Sequence, residues 1–196
     1  MLAILIFFPL VAAFITAIFP RKAAQNAFVL SLIVFILSIV LFSQFDPDGG
    51  TQFSMDYWWI RSLGISFKIG IDGISILLVM LTTFLTPLII LSSFGREYKN
   101  PGLFYSLIFF MQFALVGVFS ALDGFLFYIF WELALIPIYL ICLIWGGEDR
   151  IRITLKFFIY TLTGSLLMLV ALIWLWLQTP GAHTFELSAL YFPAPF

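Results

Sequence analysis

Charge-free apolar runs over residues 2–19, 27–45, 74–94 and 103–122 dominate the chain, and each is near the roughly 20 residues that one bilayer crossing demands. Two further runs, 125–145 and 153–177, are equally apolar, but each carries one ionisable residue, Glu132 in the first and Lys156 in the second. Short alternating strands, the signature of a membrane barrel, do not account for runs of this length. Helices satisfy every backbone amide within the segment, which hydrocarbon requires. The pattern therefore predicts an all-α transmembrane fold of about six helices, a single membrane domain over 1–196. A loop over 46–72 and a tail over 178–196 lie outside the bilayer.

Composition sharpens this picture. The chain has 196 residues, 63% of them hydrophobic and only 10% charged, too few polar side chains to cover a water-soluble surface. A net charge of -1 and the lack of a basic cluster exclude a nucleic-acid binder. Cys142 is the single cysteine and His183 the single histidine, so the chain cannot by itself build a disulfide framework, a zinc site or an iron–sulfur ligand set. The first apolar run has its basic residues, Arg21 and Lys22, after it rather than before it. That is the reverse of a secretory signal and predicts a retained helix.

Basic residues also set an orientation. Arg21 and Lys22, Arg96 and Lys99, and Arg150 and Arg152 follow the first, third and fifth runs, and the positive-inside rule places those connections in the cytoplasm. Both ends of the chain then lie outside. The loop over 46–72 carries Tyr57-Trp58-Trp59, rings suited to the membrane interface, and an alternation around Ile65, Phe67 and Ile69 that fits a short hairpin.

Glu132 is the strongest candidate for chemistry. At 1.5 Å per residue it sits ~12 Å inside the fifth helix, too deep for a short side chain to reach water. A carboxylate there costs on the order of 2.5 to 3.5 kcal/mol, so the expectation is a polar cavity or partner and a role in gaining and losing a proton. The competing structural reading is a protonated acid that only hydrogen-bonds between helices. Prolines 9, 87 and 137 interrupt three helices and free the carbonyls of Leu5, Thr83 and Leu133, the last adjacent to Glu132. Lys156, Tyr160 and Thr163 share one face of the sixth helix, with Thr161 and Ser165 in a neighbouring stripe, so Lys156 and Tyr160 are further proton-pathway candidates. Lys156 also reads as a snorkelling anchor, and antiparallel packing leaves it roughly 15 Å from Glu132 in depth. Asp72 and Asp123, each followed by glycine, read as helix caps. Cys142 reads as a small buried residue and His183 as a solvated one.

Two stretches carry a family likeness. Phe127-Tyr-Ile-Phe-Trp-Glu-Leu-Ala-Leu-Ile-Pro-Ile-Tyr-Leu-Ile141 resembles the fifth-helix motif of the antiporter-like subunits of respiratory complex I, and Ile69-Gly-Ile-Asp-Gly-Ile-Ser-Ile76 resembles the opening of their third helix. Lys156-Phe-Phe-Ile-Tyr-Thr161 is similar to the start of their sixth, and Trp-Glu followed by Leu-Ile-Pro-Ile-Tyr resembles the subunit M, or chain 4, branch. The resemblance implies a membrane-arm subunit taking part in proton translocation, with Glu132 as the family's mid-membrane glutamate. It also implies other membrane subunits of complex I as partners, with flavin, iron–sulfur clusters and quinone held by partner subunits and no cofactor or metal in this chain. A bacterial inner membrane is the implied location. The family has about fourteen helices in two inverted repeats, so the chain reads as an amino-terminal portion lacking the partner lysines of the later helices. A subunit of a multisubunit sodium/proton antiporter or membrane-bound hydrogenase, and a passive membrane scaffold, are the alternatives.

Overall fold

The computed structural model describes residues 1–179 and 183–190, apart from the side chain of Arg21. Six helices follow the apolar runs: α1 (Leu2–Ile18), α2 (Ala23–Ser43), α3 (Ser75–Ser92), α4 (Pro101–Ser120), α5 (Gly124–Trp145) and α6 (Arg150–Gln178). Five are long and apolar enough to cross a membrane, and α1 is a shorter apolar helix. Between α2 and α3, strands β1 (Gln52–Ile60) and β2 (Ile65–Ile71) form an antiparallel hairpin in which Asp56 faces Lys68 and Tyr57 faces Phe67. The alternation around Ile65, Phe67 and Ile69 is thus a real strand.

Helix ends differ from the charge-free runs for local reasons. α2 begins at Ala23, four residues early, because two alanines extend it back to a single turn opened by Pro20. α4 begins at Pro101, whose missing N–H costs nothing in a first turn. α6 begins at Arg150, directly after Glu148 and Asp149, whose charges complement the positive end of the helix. This places Lys156 six residues inside α6 rather than three. Pro9, Pro87 and Pro137 all lie inside their helices and are buried.

Two aspartates cap as expected. Asp72 Oδ1 accepts from Ile74 N (3.1 Å) and Ser75 N (2.7 Å), while its own N–H donates to Ser75 Oγ (2.8 Å). The Ser75 N–H is the main reason its carboxyl lies below the ordinary aspartate value, with burial opposing. Asp123 Oδ1 accepts from Phe125 N and Leu126 N at the start of α5, and its Oδ2 accepts from Ser66 N of β2 at 3.1 Å. Asp123 is fully buried, which pushes its carboxyl above the ordinary aspartate value despite those donors.

α4 sits at the centre, packed against α1, α5, α3 and α2, whereas α6 leans on α5. One apolar cluster joins Leu5, Ile6, Val34, Leu41, Val79, Val116 and Phe130 toward the hairpin end, and a second joins Ala12, Ala27, Ile90, Phe109 and Tyr105 toward the other. Hydroxyl pairs link neighbouring helices inside this bundle, Ser38 Oγ with Thr83 Oγ1 at 2.7 Å and Ser93 Oγ with the Tyr105 hydroxyl at 2.9 Å. Such pairs contribute about 0.6 kcal/mol on average in membranes.

The segment after α6 is not a free tail where it is described. Ala121 bridges Ile69, Leu122 N donates to Lys68 O (2.9 Å), Leu187 N donates to Leu122 O (3.0 Å) and Asp123 bridges Glu186. The hairpin, the α4–α5 connection and residues 185–187 are therefore knitted side by side across one end of the bundle. Phe185 stacks on Trp176 (5.7 Å), and Trp176 Nε1 donates to Leu63 O (2.9 Å) at the hairpin turn. Gly64 is required in that turn: its φ is +65°, and a Cβ there would lie 2.0 Å from His183 O. His183 is exposed but not merely solvated, since its Nδ1 lies 3.0 Å from Trp176 O and its ring 4.7 Å from the Trp176 ring. Residues 180–182 and 191–196 of the expected tail lie outside the described residues. Tyr57, Trp58 and Trp59 are exposed and overhang an apolar groove of about 410 Å³ that Phe7, Phe113 and Leu126 help to line.

An ion pair clasps this end. Lys68 Nζ bonds the Glu186 carboxylate and lies 3.8 Å from Asp56, and Ser188 Oγ donates to Glu186 Oε1 at 2.7 Å. The lysine first, and Ser188 second, hold the Glu186 carboxyl below the ordinary glutamate value, against a smaller opposing effect of burial. A folded-state value below the unfolded one gives stability that is complete above the ordinary glutamate range and is lost as pH falls through the lowered folded value. Both groups are partly solvated, so the contribution is small. Spin labels at Ser54 and Leu187 should report a broadened distance only on acidification below that range. In Lys68→Met the broadening should begin at higher pH, and coincident profiles for the two proteins would remove the clasp.

Candidate functional site

The site is built outward from the α4–α5 contact. Gly117 of α4 lets the Phe130 ring lie directly on the helix backbone, and Phe130 also meets Phe113 edge-on with ring centroids 5.5 Å apart. Phe130, Ala134 and Pro137 are buried, and further along α5 Trp145 meets Phe104 of α4 at 5.2 Å. These residues recur at helical spacing and define the side of α5 turned to α4. Glu132, two residues from Phe130, is rotated about 200° from it and so faces the other way.

That other side is the α6 side. Tyr139, seven residues beyond Glu132, packs on Phe158 of α6 with ring centroids 4.9 Å apart. Ser165, seven residues beyond Phe158 on α6, is one of two buried residues of that helix and donates its hydroxyl proton to Leu162 O at 3.0 Å. Tyr128, one turn before Glu132, shares its face of α5 and is likewise half-buried. Glu132 itself is half-buried, and its Oε1 is enclosed without a hydrogen-bond partner. An enclosed, unpaired carboxyl oxygen in hydrocarbon requires either a proton or a polar partner that the described residues do not supply. Pro137 leaves the Leu133 carbonyl without its helical donor next to this carboxyl.

The other two expected pathway residues stand elsewhere. Lys156 and Tyr160 flank Phe158 at two residues on either side, and both are exposed, Tyr160 at 77%. Their shared face turns away from the one that Phe158 and Ser165 present to α5. Thr161 and Thr163 are occupied by their own helix, donating to Phe157 O and Ile159 O at 2.7 Å. Phe158 and Ser165 are thus on the face of α6 turned to α5, and among the described residues no helix covers the face that carries Lys156 and Tyr160. The i, i+4 spacing from Glu132 was the signal that could have found Tyr128. Cys142 corrects an expectation: it is exposed, because it lies on a side of α5 that neither α4 nor α6 reaches.

Gln112 of α4 is a second polar group that apolar patterning passes over. It is 2% exposed, and neither its Oε1 nor its Nε2 has a partner among the described residues. Among the described residues, no group of three or more His, Cys, Asp or Glu side chains could hold a metal ion.

Known proteins share the sequence and fold of this chain. Residues 1–118 match the family described as NADH-ubiquinone oxidoreductase chain 4, amino terminus, and residues 121–193 match the transmembrane family of NADH:quinone oxidoreductase and Mrp antiporters. The chain is 42% identical over 203 residues to NADH-quinone oxidoreductase subunit M of Rhodobacter capsulatus, covering 98% of this chain and 39% of that protein. It is 39% identical over 194 residues to F(420)H(2) dehydrogenase subunit M of Methanosarcina mazei, covering 96% and 39%. It thus spans about two-fifths of these relatives' length. Among solved structures it superposes on a chain of respiratory complex I from Thermus thermophilus with a TM-score of 0.81 at 30% identity, covering 97% of this chain and 38% of that one. The Mrp complex of Dietzia sp. DQ12-45-1b shares the fold, with a TM-score of 0.78 at 15% identity and coverage of 96% and 20%. With the deep glutamate, the capped third and fifth helices and a family match over more than half its length, the chain belongs to the NADH-ubiquinone oxidoreductase chain 4 family.

Proposed function

We propose that this chain is the amino-terminal portion of a membrane-arm subunit of complex I that takes part in proton translocation, driven by NADH:quinone electron transfer in other subunits. Glu132 carries the reading: an acid held about 12 Å inside a membrane helix, with one oxygen enclosed and unpaired, is a place where a proton can be held and released. The exposed α6 face with Lys156 and Tyr160 is where the later helices of the full-length protein would pack, so those two residues enter the pathway only in that context. In this reading flavin, iron–sulfur clusters and quinone are held by partner subunits; for the clusters, one cysteine and one histidine in this sequence are too few ligands. The basic residues Lys22, Arg96, Lys99, Arg150 and Arg152 lie at the end opposite the hairpin, which supports a cytoplasmic location for that end and a periplasmic one for the hairpin in a bacterial inner membrane.

One relative is named for F(420)H(2) rather than NADH, and the family that residues 121–193 match is described for Mrp antiporters as well, which keeps an antiporter as the rival reading. The full-length protein, purified with its partners and placed in proteoliposomes, separates these. Proton movement that starts on addition of NADH and quinone, with iron–sulfur subunits in the preparation, is the expected result. Sodium-driven proton exchange in a preparation without redox subunits would overturn it.

A further inference from the structure

We infer that Gln112 of α4 and Thr86 of α3 hold a bound water molecule between them inside the membrane, at a site separate from that of Glu132 and independent of the proton-holding reading.

The amide itself sets the demand. Gln112 is almost wholly enclosed, and both its amide oxygen and its amide nitrogen lack a hydrogen-bond partner among the described residues. A buried amide with nothing to bond is costly, and bulk water does not reach it in hydrocarbon. The helices of this chain already enclose the group, so a side chain from a later helix or another subunit cannot reach it without parting them. What serves it must be small, and must both donate to Oε1 and accept from Nε2. Water is the ligand with that chemistry.

α3 supplies the other side of the site. Ser93 near the end of α3 meets Tyr105 near the start of α4 at 2.9 Å, so the two helices run antiparallel. Gln112 lies seven residues on along α4 and Thr86 seven residues back along α3, each within about 20° of the face that makes this hydroxyl pair. Apolar packing brackets the same level: Ile90 joins Tyr105 and Phe109 on one side of it, and Val79 joins Val116 on the other. Between Val79 and Ile90 the buried residues of α3 are Thr83, Thr86 and Pro87. Thr86 Oγ1 donates its proton to Thr82 O at 2.9 Å and keeps a lone pair for a donor. Pro87 offers no N–H to Thr83 O, and ordered water is one of the groups that satisfy such freed carbonyls in membrane helices. The Thr83 hydroxyl is already engaged with Ser38 Oγ and Met80 O.

A water at this level accepts from Gln112 Nε2, donates one proton to Gln112 Oε1, and donates the other to Thr86 Oγ1 or Thr83 O. Three hydrogen bonds are what a buried water typically makes. The water joins α4 to α3 at the proline break. Gly117, which marks the side of α4 turned to α5, is about 140° round the helix from Gln112, so the site stands apart from the Glu132 side of the bundle.

The full-length protein in its complex tests this in two ways. A density map that resolves internal waters should show one within hydrogen-bond distance of the Gln112 amide and of Thr86 Oγ1 or Thr83 O. An amide bonded directly to protein groups, or packed dry, would overturn the site, and the map needs no variant to show it. Gln112→Met and Thr86→Val nearly keep the size of each side chain and remove its polar group. Each should lower the temperature at which this subunit is lost from the heated complex. The double variant should lose little beyond the larger single loss, because either change alone releases the water. Losses that add in full would mean that the two side chains act separately, and the bridge would be rejected.

Discussion

Glu132→Gln should reduce proton translocation by the assembled complex by roughly tenfold or more while leaving the amount of complex in the membrane unchanged; tenfold corresponds to about 1.4 kcal/mol of barrier. The substitution keeps the shape of the side chain but removes the ability to ionise. Glutamine is also less costly to hold in hydrocarbon than a carboxylate, so insertion and packing of α5 have no reason to suffer. A loss of pumping at normal assembly is therefore a loss of chemistry. The measurement is quinone-dependent acidification of inverted membrane vesicles, with electron transfer followed in the same preparation. Glu132→Asp should fall between the two: it can ionise, but it withdraws the carboxyl by one methylene. Undiminished pumping in Glu132→Gln would end the proton-holding role.

Much of this fold could be read from the spacing of charges alone. Bilayer thickness sets a minimum length for a spanning run and charges mark its ends, so 2–19 and α1, or 125–145 and α5, agree to within a residue. The hairpin was legible where side chains alternate around Phe67. Its partners were not, because the pairing of β2 with residues 121–123, and of those with 185–187, joins segments far apart in sequence with no periodicity between them. Glu132 stood out as an acid in an apolar run. Rotation of the helices stayed hidden, since lipid-facing and protein-facing positions are equally apolar. That is why Lys156 and Tyr160 read as pathway candidates and Ser165 only as part of a neighbouring stripe, whereas of the three it is Ser165 that is buried on the α5 side. Gln112 escaped notice because a neutral amide leaves no charge in the pattern, yet it is buried more deeply than Glu132.

Gly117→Ala should destabilise the full-length protein by about 1 to 3 kcal/mol, the usual cost of forcing atoms into a filled interior. A Cβ on Gly117 would lie 2.3 Å from Phe130 Cδ1 and 2.5 Å from Cε1 and Cγ, so the overlap is with the body of the ring rather than with a flexible tip. The ring cannot simply swing aside, because Phe113 already packs against it, and both belong to the cluster that holds α1, α4 and α5 together. What yields is the separation of α4 and α5. Glu132, two residues beyond Phe130, is carried along with its helix, so the substitution should weaken pumping as well as thermal stability even though it lies on another element. Phe130→Leu supplies the check. Alone it leaves a cavity and costs on the order of 1 kcal/mol. Combined with Gly117→Ala it makes the room that the new methyl needs, so the double variant should be more stable than the sum of the single effects by more than about 0.5 kcal/mol. Additive losses would mean that the ring does not fix the spacing of the two helices, and the geometry that turns Glu132 toward α6 would need another origin.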